Sequence, residues 1–175
     1  GFMCGAERVH DATVRRFVNR FTPDGLPENI VRPAYGLAEA TLYVSALVPG
    51  TPAVGVRFDF EKLAKGYALR CGEGQDGAVL MSHGPQRSVT YRIVDPDTRE
   101  ENPADRVGEI WVHGENVPAG YWRNPERTEA TFGGWIENPR SDTPAGPWLR
   151  TGDLGVVSEG ELFITGRIKD LLILS

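Results

Sequence analysis

Little in this sequence points to a disulfide scaffold, a metal centre or a membrane span. It has 2 cysteines, Cys4 and Cys71, and 3 histidines, His10, His83 and His113, scattered without ligand spacing. Two thiols are too few for a disulfide framework, and with no Cys-x-x-Cys or His/Cys cluster no zinc site is expected. No apolar run approaches the ~20 residues of a membrane helix, and no secretory signal pattern is visible near residue 1. The expectation is a cytoplasmic protein with no membrane span. Lysine is scarce too: Lys62, Lys65 and Lys169 are the only three among 19 basic residues, and the formal net charge is −5. Scattered cations on a net acidic chain exclude a protein organised around phosphate-backbone contacts, so no nucleic-acid partner is expected.

What is present fits one folded domain or a large part of one: 175 residues, 40% hydrophobic and 25% charged. Gly1–Cys4 and Leu171–Leu174 are apolar runs at the two ends, read as buried strands with nothing beyond them, which leads to the expectation of a fragment of something larger. After the first strand, Asp11 is expected to cap a helix to about Phe21, with Val14, Phe17, Val18 and Phe21 on one face. Pro23-Asp24-Gly25 ends it, and Ile30–Arg32 is a second strand. This opening is α/β.

The remainder reads as mostly β. Leu42–Val48 is strand-like. Val54, Val56, Phe58 and Phe60 alternate as in a half-buried strand, and Glu61–Lys65 makes one helical turn. Gly72-x-Gly74-x-x-Gly77 matches a dinucleotide fingerprint by letter, but Ala78–Met81 after it reads as strand where the fingerprint needs a helix, so a hairpin loop is the better reading. Val89, Tyr91 and Ile93 alternate, as do Ile110 and Val112. Asn124-Pro125 opens a short helix to about Phe132. Gly155–Ser158 and Glu161–Thr165 form a hairpin about Glu159-Gly160, and Ile168–Leu174 is a final strand or hinge.

Three stretches carry chemistry. In Arg32-Pro33-Ala34-Tyr35-Gly36-Leu37-Ala38-Glu39-Ala40-Thr41 a strand runs into a turn. A glycine after an aromatic lets backbone approach a ligand, and Glu39 offers a hard oxygen of the kind Mg²⁺ prefers. The alternative is a strand end with a helix-capping acid. In Trp148-Leu149-Arg150-Thr151-Gly152-Asp153 the Asp can accept from a ribose diol, or else satisfy its own turn. In Gly166-Arg167-Ile168-Lys169-Asp170 the guanidinium suits ribose or phosphate oxygens, or a surface ion pair within the segment.

Together YGLAEAT, GEIWVHGENVPAGYW, WLRTGD and GRIKD, in that order, resemble the second half of the large N-terminal domain of the adenylate-forming enzymes. These include acyl-CoA synthetases, peptide-synthetase adenylation domains and luciferase. The resemblance covers essentially the whole chain. It implies the end of an α/β subdomain (1–45), an insertion (46–87), a distorted β-barrel subdomain with a ribose-binding motif (88–168) and a hinge to a C-terminal domain (169–175). It implies that Gly5, Ala6 and Glu7 lie along adenine, that Tyr35 and Gly36 form the adenine-stacking turn, and that Glu39 is catalytic through Mg²⁺. It further implies that Asp153 holds ribose, that Arg167 holds ribose or phosphate, and that Lys169 is the hinge. Gly108–Trp122 matches a largely structural segment.

Two departures narrow the resemblance. Ala38 stands where the superfamily usually has Thr, and 54 positions separate Glu39 from Ile93, more than in acyl-CoA synthetases. Both features resemble the fatty acyl-AMP ligases of actinobacterial lipid and polyketide pathways, whose insertion restricts the small domain; the alternative is a decorative surface loop. The implied reaction is activation of a fatty acid by ATP to acyl-AMP, for transfer to an acyl carrier protein of a polyketide synthase. The phosphate loop and the small-domain catalytic lysine of that family have no match in this chain, so the segment alone is expected to be inactive. The alternatives are an acyl-CoA synthetase of the same superfamily and a non-catalytic nucleotide- or carrier-binding module, in which Tyr35, Glu39, Asp153 and Arg167 would not converge.

Overall fold

A computed structural model describes residues 1–72 and 74–171. Two sheets organise them. In the first, β1 (Phe2–Cys4) pairs parallel with β2 (Val31–Tyr35), the helix α1 (Asp11–Phe21) connecting them, and β3 (Ser45–Ala46) pairs antiparallel on the other side of β2. The second sheet has the order β4-β5-β9-β8-β7-β6, antiparallel throughout. Its strands are β4 (Gly55–Asp59), β5 (Gly77–Pro85), β6 (Thr90–Val94), β7 (Gly108–His113), β8 (Leu149–Ser158) and β9 (Glu161–Arg167). The α/β opening and the β-rich remainder are as expected. The barrel is not: among the described residues β4 and β6 are the outer strands of an open sheet.

The sheets meet along β5. Met81 packs with Val9, Val14 and Val31 beneath β1 and β2, and the Ser45 hydroxyl donates to the His83 carbonyl at 2.9 Å. The main core joins Tyr35 and Val44 to Tyr91, Ile93, Ile110, Val112, Leu149 and Leu162. This is the alternation read from β6 and β7, with every second side chain turned inward. Within residues 46–87, Phe58 is buried with its ring edge-on to Phe163 at 5.0 Å, so β4 is packed into the sheet.

Several elements differ from expectation for local reasons. Among the described residues β1 pairs only with β2, and Phe2 and Met3 are exposed rather than buried. Asp11 is the first residue of α1 and does not cap it; its carboxylate accepts from the Gly55 amide at 2.9 Å and pairs with Arg15 at 2.7 Å. β2 runs on through Pro33 to Tyr35. Pro33 has no N–H for the Leu47 carbonyl opposite, and Arg32 Nε donates to that carbonyl instead, at 3.0 Å, while Leu47 N–H still donates to Pro33 at 2.9 Å.

The strand expected over Leu42–Val48 shrinks to Ser45–Ala46, because Thr41 and Leu42 turn with φ of 48° and 83°. Phe60 is exposed and starts α2 (Phe60–Ala64), where Asp59 caps by accepting from Lys62 N–H at 2.8 Å. Gly77 opens β5 and not a helix, so Gly72 and Gly74 lie in the connection between antiparallel β4 and β5. Helix α3 (Pro125–Phe132) is capped by Asn124 as read. Ile168–Leu171 is a helical turn, α4, and not a strand; the β8–β9 ladder ends at Asp153↔Arg167. The rest of the expected terminal segment, 172–175, lies outside the described residues.

Candidate functional site

The ends of β2, β8 and β9 bring three predicted residues into one hydrogen-bonded row. The Tyr35 hydroxyl donates to Asp153 Oδ2 at 2.8 Å across 118 positions of sequence. Asp153 Oδ1 accepts from Arg167 Nε at 2.8 Å, the two facing each other in the β8–β9 register. Asp153 is 5% exposed, whereas the Arg167 side chain is 65% exposed and presents its remaining N–H groups outward. Asp153 therefore does more than satisfy its own turn, and the ion pair of Arg167 reaches across to another strand. Burial, and then the adjoining Asp153 carboxylate, push the Tyr35 hydroxyl well above the usual tyrosine range, so it stays protonated and donates to Asp153. The same carboxylate raises the Arg167 guanidinium.

This row forms one wall of a cavity of about 420 Å³, lined also by Ala6, Glu7 and Gly36. Gly5 lies behind the lining; a Cβ there would press on the Ala34 carbonyl at 2.5 Å, so glycine lets the 5–7 segment lie close on β2. Glu39 is elsewhere. It sits in the 3-10 turn Ala38–Ala40 and lines a second cavity of about 420 Å³ together with Tyr121, Arg127, Arg150 and Lys169. Asp153 and Arg167 border both cavities. Three of the four residues whose divergence would mark a non-catalytic module thus share one cavity, and the fourth lines its neighbour.

Sequence reasoning missed three contributors. Tyr121 donates to Glu39 Oε1 at 2.5 Å across 82 positions, and burial, then the adjoining Glu39 carboxylate, raise its hydroxyl. Glu109 is 2% exposed and accepts from the Gly152 amide beside Asp153 at 2.9 Å. By the alternation of Ile110 and Val112 it reads as an outward residue, so the sequence carries no signal for it. His83 lines the first cavity, edge-on to Tyr35 at 6.5 Å.

His83 makes a pH-dependent contribution to stability. Burial pushes its imidazole down to about 4, against the weaker pull of the Leu162 and Met81 backbone. The folded protein keeps His83 neutral while the unfolded chain protonates it below its ordinary value of about 6.5. Stability is unaffected by His83 above that value and falls as pH drops toward 4. Between pH 7 and 5 the loss is about 2 kcal/mol. In urea titrations at pH 7 and pH 5, His83→Asn is expected to lose about 2 kcal/mol less than the parent over that interval. Equal losses would show that His83 does not titrate this way.

Comparison with known proteins places the chain in a family. The family profile described as AMP-binding enzyme matches residues 1–122. The chain is 59% identical over 97% of its length to a 4-hydroxyphenylalkanoate adenylyltransferase of Mycobacterium tuberculosis, spanning 27% of that protein. It is 56% identical over 99% of its length to the long-chain-fatty-acid–AMP ligase FadD26 of Mycobacterium marinum, spanning 30% of it. Among solved structures, the fatty acyl-adenylate ligase of L. pneumophila in complex with acyl adenylate and pyrophosphate superimposes with a TM-score of 0.88 at 37% identity, over 98% of this chain and 29% of that one. The chain thus spans less than a third of each of these relatives. By the profile match and by these relatives, it belongs to the AMP-binding enzyme family.

Proposed function

We propose that this chain is the nucleotide-binding part of a longer ATP-dependent enzyme that activates a fatty acid to its acyl-adenylate, for transfer to an acyl carrier protein. The observation that carries the reading is the Tyr35–Asp153–Arg167 row along a cavity also lined by Ala6, Glu7 and Gly36. Each Asp153 oxygen has one protein donor and keeps lone-pair capacity for a ribose hydroxyl. Gly5, Ala6 and Glu7 with Tyr35 and Gly36 would bind adenine, and Arg167 would reach ribose or phosphate oxygens.

Among the described residues no three His, Cys, Asp or Glu side chains cluster as a metal cage. A lone carboxylate such as Glu39 suits Mg²⁺ that takes its other ligands from substrate phosphates and water. When bound, the ion would neutralise charge on the phosphates; Tyr121 holds the Glu39 carboxylate in place for it. In the reaction the acid's carboxylate oxygen bonds to the α-phosphorus, the bond to pyrophosphate breaks, and the electron pair leaves on pyrophosphate. The chain's own groups position the nucleotide and offset developing charge. The phosphate loop and catalytic lysine of the family would be supplied by the rest of the enzyme, with Lys169 at the hinge to its C-terminal domain and residues 46–87 limiting that domain's movement. The segment alone would not form adenylate.

The relatives named for long-chain fatty acids support the fatty-acid substrate, and the 59% identical relative named for 4-hydroxyphenylalkanoate favours an aryl alkanoate as the second reading. The test is the full-length enzyme with ATP, Mg²⁺ and either laurate or a 4-hydroxyphenylalkanoate, with and without CoA, its products separated by chromatography. Acyl-AMP from laurate that persists with CoA present is expected. Product from the aryl acid alone would move the substrate assignment, and rapid acyl-CoA formation would make the protein a synthetase.

A further inference from the structure

The β7–β8 ladder is interrupted beside the site. Glu109 faces Leu154 and Trp111 faces Arg150, so Thr151, Gly152 and Asp153 are opposed by Ile110 alone. Such a bulge strips backbone groups of their ladder partners and re-aims a side chain. Here the re-aimed side chain is Asp153. The Thr151 hydroxyl takes the Ile110 carbonyl at 2.7 Å, which leaves the Gly152 amide with no backbone acceptor on β7. Glu109 fills that gap: Oε1 accepts from Gly152 N–H at 2.9 Å and Oε2 from Trp111 Nε1–H at 2.8 Å. Gly152 has a φ of +73°, a conformation the isolated chain does not favour over others.

An apolar residue at 109 would leave the Gly152 amide and the Trp111 indole N–H without this acceptor and Arg150 Nε without the carboxylate 3.5 Å away. The carboxylate is tied to the one backbone amide that immediately precedes the proposed ribose acid. The Trp111 indole N–H at 2.8 Å and Arg150 Nε at 3.5 Å hold the other oxygen, which keeps Glu109 turned toward Gly152. We infer that Glu109 is a positioning residue for nucleotide binding: it fixes the bulge at Gly152 and thereby the point at which Asp153 presents its carboxylate to the ribose diol. This inference rests on the ribose role proposed above for Asp153.

The test uses the full-length enzyme in ATP–pyrophosphate exchange, comparing ATP with 2′,3′-dideoxy-ATP. The parent is expected to prefer ATP by about 30-fold or more in kcat/KM, as hydrogen bonds to a charged acceptor warrant. Glu109→Ala is expected to cut that preference below about 3-fold by raising the KM for ATP, with the KM for the fatty acid unchanged. Trp111→Phe, which leaves Oε2 to Arg150 Nε at 3.5 Å and keeps the Gly152 bond, is expected to keep the preference.

Glutamine offers only one acceptor, so Glu109→Gln is expected to lose part of the preference and the Glu109→Gln/Trp111→Phe pair to recover it; this pair answers the question if the alanine variant does not fold. Undiminished preference in Glu109→Ala, or no recovery in the double variant, would overturn the inference and leave Glu109 a purely structural buried acid. A parent that uses both nucleotides equally is a different failure: it removes the ribose role of Asp153 itself.

Discussion

Asp153→Ala in the full-length enzyme is expected to raise the KM for ATP by about 100-fold or more, since two charge-assisted hydrogen bonds are at stake at about 1.5–3 kcal/mol each. The same change has a cost that needs no ligand. Tyr35 is buried, and its hydroxyl donates to Asp153 Oδ2 at 2.8 Å. Removing the acceptor leaves a buried hydroxyl without that bond, at about 1–3 kcal/mol. Arg167, largely exposed, can turn to water and adds little.

Asp153→Asn separates the two effects. It keeps an oxygen for the Tyr35 hydroxyl but sets an amide where Arg167 donates, so stability is expected within about 1 kcal/mol of the parent while nucleotide binding weakens roughly 10-fold. Urea titration and pyrophosphate exchange read the two quantities. An alanine variant with an ATP KM within twofold of the parent would remove Asp153 from the nucleotide site.

The elements legible in the sequence were those whose determinants are local. The alternation of Tyr91 and Ile93 gives β6, that of Ile110 and Val112 gives β7, and Asn124 followed by Pro125 gives the start of α3. Where the determinant is distant, local reading failed. Pro33 looked like the end of a strand because nothing nearby shows that Arg32 Nε stands in for its missing N–H at Leu47. Asp11 has the composition of a cap but is drawn to the Gly55 amide, 44 positions away.

The site divides in the same way. Tyr35, Asp153 and Arg167 each had an ordinary alternative as turn or surface residues, and only the resemblance, carried by four ordered motifs, joined them in advance. Their hydrogen bonds do so in the structure. Tyr121 and Glu109 sit in a stretch read as structural, and each touches a site element that no pattern of its own segment could disclose.

Gly36→Ala is expected to be the most damaging single-methyl change near the site. A Cβ at Gly36 would overlap the Leu42 carbonyl oxygen and crowd the Leu42 carbonyl carbon at 2.6 Å. That carbonyl cannot rotate aside. Its segment is pinned by Leu42 N–H to the Leu37 carbonyl at 3.0 Å and by Val44 N–H to the Tyr35 carbonyl at 3.0 Å. Backbone meets backbone, so no side-chain rotation relieves the overlap, and the cost is expected to exceed about 4 kcal/mol. The displaced loop carries Glu39, and the strand end beneath it carries Tyr35, so both cavities would be disturbed at once.

Gly25→Ala is the control. Its φ is +92° and nothing lies within 4 Å of the added methyl, so only the left-handed backbone is penalised, at about 1–2 kcal/mol. Urea titration of the two variants should differ by at least about 2 kcal/mol, with Gly36→Ala the less stable. If Gly36→Ala unfolds at the same urea concentration as Gly25→Ala, the Leu37–Leu42 loop can move away from β2, and Glu39 is not held at a fixed distance from Tyr35.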